Sequence, residues 1–129
     1  DPESNSIALL VKHMAGNMIS RWTDFLTTDG EKPDRDRDRE FIEESQSRSD
    51  LLRRWDEGWT RLLETLSSVT PDDLQAVVTI RGEEHSVVLA INRQISHYAY
   101  HVGQIVYIAK HLRGSSWNNL SMPKKRETS

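Results

Sequence analysis

Residues 86–112 read SVVLAINRQISHYAYHVGQIVYIAKHL, and the spacing of their side chains decides the fold. At about 100° per residue, Ala90, Gln94, His97, His101, Ile105, Ile108 and Leu112 fall within one stripe. The segment is therefore expected to be a long helix with that stripe turned to a core, closed by Gly114 at the position where a left-handed residue ends a helix. His97 and His101 stand one turn apart on the buried side. Two imidazoles among aliphatic neighbours cost free energy unless their nitrogens find partners. A metal ion is one such partner; a hydrogen-bonded pair of core histidines is the other, and the spacing alone does not choose between them.

Upstream, the apolar residues Ile7, Leu10, Val11, Met14, Met18, Trp22 and Phe25 recur at steps of three and four, predicting a helix from Ile7 to Leu26 with one buried stripe. His13 lies on the flank of that stripe beside Asn17. It could turn inward at a helix contact or stay at the boundary, bonded to backbone or solvent. If it turns inward, three histidines from two helices form a facial set that binds zinc, nickel or iron(II) and leaves coordination positions open. His85 and His111 are left out of that set, the first in a strand, the second near a helix C-terminus where the dipole favours an imidazolium.

Between the helices, TTDGEKPDRDRDRE combines Gly30, Pro33 and alternating Asp and Arg and is expected to be a long solvated connection. A second helix is expected from about Phe41 or Ser49 to Ser68, carrying Leu51, Leu52, Trp55, Trp59, Leu62, Leu63 and Leu66, with Gly58 weakening it by about 1 kcal/mol relative to Ala. Thr70-Pro71-Asp72-Asp73 suits a brief capped turn anchored by Leu74. AVVTIRGEEHS at 76–86 suits a small hairpin about Arg81-Gly82. Gly16 and Gly103 are read as permitting close helix approach, since neither belongs to a phosphate loop.

Composition bounds what such a chain does. Its 129 residues form one domain, 1–129, and 17 basic against 20 acidic side chains, net charge -3, lack the basic excess of a nucleic-acid binder. The short run Lys124, Lys125, Arg126 does not alter that. No apolar run is long enough for a membrane span, and the opening DPESNS lacks the features of a signal peptide; a cytoplasmic location is expected. With no Cys, any metal must be held by His and carboxylates. No Ser lies in a nucleophile turn, and haem between His97 and His101 is disfavoured because the two share a helix face.

The run NSIALLVKHMAGNMISRWTDFLTTDGEKPDRDRDREF, the later RGEEHSVVLAINRQISHYAYHVGQIVYIAKHLRG and the tail W-x-x-L-S-M-P together resemble the DinB/YfiT-like superfamily, in its branch with the TTDGEKP loop. The resemblance implies an all-α, up-and-down helical bundle with the small hairpin before its last helix. It also implies a divalent metal held by His13, His97 and His101, zinc or nickel ahead of manganese or iron. Members carry a further helix before this region; the chain opens in what reads as the loop leading into the His13 helix. The first helix is expected to be absent, and a homodimer to cover the apolar stripe it would leave.

Activities in that superfamily imply metal-dependent transfer of low-molecular-weight thiols, or hydrolysis, on a small-molecule substrate. The metal would act as a Lewis acid that lowers the pKa of a water or thiol. Asn17, Arg21, Gln94, Tyr100 and Gln104 are candidates to orient the ligands or a substrate carboxylate. The alternative is a non-catalytic bundle in which a metal or a histidine cluster fixes the core of an interaction module.

Overall fold

A computed structural model describes residues 4–122. Residues 1–3 of the opening segment, Pro123 of the tail and the basic run Lys124, Lys125, Arg126 lie outside the described residues. Helix α1 spans Ile7–Trp22, the one-turn α2 Arg37–Glu40, α3 Arg48–Ser68 and α4 Val87–Arg113, with the antiparallel hairpin β1 (Val77–Ile80) and β2 (Glu83–Ser86) directly before α4. The chain is mostly helical, as the periodicities require. None of the described helices is long and apolar enough to cross a membrane.

Serine caps start all three long helices. Ser6, Ser47 and Ser86 accept from the backbone N–H of Leu9, Asp50 and Leu89, each satisfying one donor that the first turn leaves unpaired. Thr70 and Asp73 bond one another reciprocally at the 3-10 turn Asp72–Gln75. Arg81 and Gly82 both take positive φ, 56° and 76°, the conformation of a two-residue hairpin turn whose twist matches the strands. At the end of α4, Gly114 takes φ 51°.

The first helix is not a surface helix with one buried stripe. Twelve of its sixteen residues are buried, because α3, α4 and the segment carrying α2 each cover a side of it. It also stops at Trp22, four residues before the expected Leu26, since Thr23 is extended and Asp24 turns to φ 48°. Phe25 nevertheless stays buried beside Trp22. Gly58 faces α1 at a point of close approach: a Cβ there would lie 3.2 Å from Met18 Cβ and 3.3 Å from Ala15 Cα. The residue that weakens α3 locally is thus what lets α3 reach α1. Gly103, by contrast, faces open space, and Gly16 makes room for the side chain of Glu40, the last residue of α2. Leu112 ends the α4 stripe in solvent, 72% exposed, on the last turn of a helix of 27 residues packed against an α1 of 16.

The connection after α1 is the largest departure from expectation. Asp29 accepts from the backbone N–H of Arg81 and Gly82, and Gly30 N–H donates to Thr79 O at 2.8 Å, so the loop is fastened to the hairpin. Glu40 is 6% exposed and the Arg35 side chain 4%. Charged side chains bury here because they neutralise each other: Arg35 Nε and Nη2 donate to the two Glu40 oxygens at 2.8 Å each, the bidentate geometry that best offsets desolvation.

Candidate metal centre

His13 comes from the middle of α1, and His97 and His101 from successive turns of α4. Crossing the helices brings the three rings edge to face, with centroids 4.6 to 5.3 Å apart. The Nε2 atoms converge: His13 to His97 is 3.2 Å and His101 to His97 is 3.0 Å. One ligand atom from each of the three lies within 4.8 Å of the others. His85, in β2, and the exposed His111 stand outside the cluster.

The tautomers follow from what holds the other side of each ring. His13 Nδ1–H donates to Glu40 Oε2 at 2.9 Å, and His101 Nδ1–H donates to Gln104 Oε1 at 2.8 Å. Each proton placed on Nδ1 leaves the matching Nε2 as a bare lone pair. Two lone pairs therefore face His97 Nε2, which can offer one proton at most. Burial, with the neighbouring imidazoles and arginines adding to it, lowers the pKa of His97 to about 4. His101 is also lowered, chiefly by burial and against the Gln104 hydrogen bond. Burial thus holds His97 and His101 neutral, and the three rings turn their nitrogens towards one another. A divalent ion with nitrogen ligands at about 2.1 Å spaces adjacent ligands about 3.0 to 3.4 Å apart; the His13–His97 and His97–His101 separations lie in that range, and all three ligand atoms lie within 4.8 Å of one another. The donor set fits a metal.

Glu40 is the residue the sequence reading missed. Burial alone would raise its pKa, but the hydrogen bonds from His13 and Arg35 prevail and lower it, so it is a carboxylate against His13. The available signal was the join Glu40-Phe41, where the charge run meets an aromatic residue; the Phe41 ring packs on His13 at 4.8 Å. Among the expected supporting residues, Gln104 touches His101 directly. Asn17 Oδ1 accepts from Tyr98 Oη, whose oxygen in turn accepts from Trp22 Nε1, both at 2.9 Å. Tyr98 is the inward tyrosine of the H-Y-x-Y-H run, its phenol pKa raised by burial. Tyr100, one residue before His101, points outward, 64% exposed, and meets only the edge of the His101 ring.

Arg21 and Gln94 share a cleft of 160 Å³ with His13 and His97. A larger groove, 730 Å³, runs instead past Lys12, Ile19, Asp24 and Arg54 and contains none of the three histidines, so size does not locate the chemistry. No curated protein and no solved structure matches the chain. A family model described as a protein of unknown function matches residues 1–126, and the chain accordingly belongs to that family, DUF1572.

Proposed function

We propose that this protein binds one divalent metal ion through His13, His97 and His101 and acts as a metal-dependent transferase or hydrolase on a small molecule, in the manner of the DinB/YfiT-like bundles it resembles. The observation that carries the reading is the convergence of three Nε2 atoms on rings from two helices, two of the rings held at Nδ1 by Glu40 and Gln104. Imidazole donors suit zinc or nickel, and after them manganese or iron, better than magnesium or calcium, which prefer oxygen. When bound, the ion would supply Lewis-acid activation of a nucleophile such as a low-molecular-weight thiol or water. The protein's own residues do the rest: Glu40 and Gln104 orient two rings, Arg35 holds Glu40, and three ligands leave positions for a substrate.

Elemental analysis of protein purified without a histidine tag tests this. About one metal per chain is expected, removed by chelator and restored by adding the ion back. His97→Ala and His101→Ala should each lose it, while His85→Ala should retain it. Equal metal content in the three variants would overturn the assignment.

A further inference from the structure

The cleft beside the histidines is lined by five arginines, Arg21, Arg35, Arg37, Arg81 and Arg93, and by no carboxylate. Among the described residues the acidic groups within 4 Å of these arginines are Glu31 and Glu40, five positive charges against two. Glu31 is spread over four of them, at 3.3 Å from Arg35, 3.4 Å from Arg81, 3.7 Å from Arg21 and 4.0 Å from Arg37. Arg93 has no acidic partner at that distance among the described residues.

Arg21 makes the imbalance costly. It is 2% exposed, its Nε and Nη1 have no hydrogen-bond partner, and it lies against Gly30, where a Cβ would come 2.8 Å from its Cδ. A buried guanidinium without a hydrogen-bonded counter-ion is expensive, and a loop glycine that makes room for it indicates that the fold accommodates it. Gln94 Oε1, on the same cleft, is also buried and unpartnered.

We propose that this cleft is an anion site that receives the carboxylate or phosphate of a small-molecule substrate while the rest of the substrate reaches the histidine cluster. The site deepens the metal-dependent reading and rests on it for the second half of that statement. His13 and His97 line both places, so one small molecule spans them. The volume, 160 Å³, is that of roughly five waters, enough for one anionic group and not for a nucleotide. Half-exposed Arg37 and Arg81 and the exposed Arg93 supply the direct contacts, and Arg21 and Arg35 supply fixed charge behind them.

The test is calorimetric titration of the full chain with malonate and, separately, inorganic phosphate at constant ionic strength, in chelator-treated and zinc-loaded protein. Saturable binding to the chelator-treated protein is expected, weakened about tenfold by Arg93→Gln and unchanged by Arg53→Gln on the exposed face of α3. Arg21→Lys should weaken it as well; should that buried variant fail to fold, the exposed Arg93→Gln carries the test. Preference for malonate or phosphate identifies the substrate group. No saturable binding, or equal binding by the Arg93 and Arg53 variants, overturns the anion site. Binding seen only after zinc loading also overturns it while upholding the metal. Binding by protein that takes up no zinc upholds the cleft and overturns the metal.

Discussion

Glu40 and His13 form the contact on which the site most depends. A carboxylate on Nδ1 fixes the ring's orientation and makes Nε2 a stronger donor. Arg35 locks the carboxylate by two further hydrogen bonds, so Glu40 cannot swing away when the ring is pulled. Glu40→Gln keeps the size and one acceptor but removes the charge. It is expected to weaken zinc or nickel binding about 10- to 100-fold, read by competition with a chromophoric chelator. His85→Ala should leave the affinity unchanged. A purely structural Glu40 would show itself as lowered urea stability with the affinity intact. Apart from the aromatic residue that follows it, nothing in the one-dimensional pattern distinguished Glu40 from the Asp and Arg residues before it, since exposed and mutually neutralised charges look the same until the partner across the fold is known. His97 and His101, one turn apart on a single helix, carried their geometry in their spacing.

Among the elements, the three long helices and the hairpin could be read from periodicity and turn chemistry because each signal lies within one segment. What could not be read is what each segment meets. The burial of α1 on every side depends on the connection folding back over it, and the role of Gly58 depends on α3 touching α1. Helix propensity makes Gly58→Ala favourable by about 1 kcal/mol. The added Cβ would sit 3.2 Å from Met18 Cβ and 3.3 Å from Ala15 Cα, atoms that no side-chain rotation moves aside, on a stretch of α1 that is fully buried. Overpacking of this kind costs about 1 to 3 kcal/mol, so the contact prevails. A net loss of stability is expected, seen as a lower urea midpoint at unchanged slope. A midpoint equal to or above that of the wild type would show that the two helices separate without cost, and the close approach would lose its significance.

Taken as a whole, the protein holds the half-buried His97 and the buried Glu40 beside a cluster of arginines, and its stability should depend on pH accordingly. Burial lowers His97 from 6.5 to about 4, so the folded state holds the ring neutral while the unfolded chain takes up a proton near 6.5. The corresponding stability is fully present above about pH 6.5 and is lost as the pH falls from there towards 4. Glu40 acts in the same direction lower down. Its pKa is lowered in the folded state, so its contribution is complete above its ordinary carboxylate value of 4.5 and disappears as the pH falls through the folded pKa. Chelator-treated protein is therefore expected to lose urea resistance steadily between pH 7 and pH 4.5, and His97→Ala should flatten the upper part of that slope. Bound metal should move the loss to lower pH, because protons must compete with the ion for the same nitrogens. A chelator-treated wild type as stable at pH 4.5 as at pH 7 would mean that the cluster opens to water in solution, and the convergence of the three Nε2 atoms would no longer describe the folded protein.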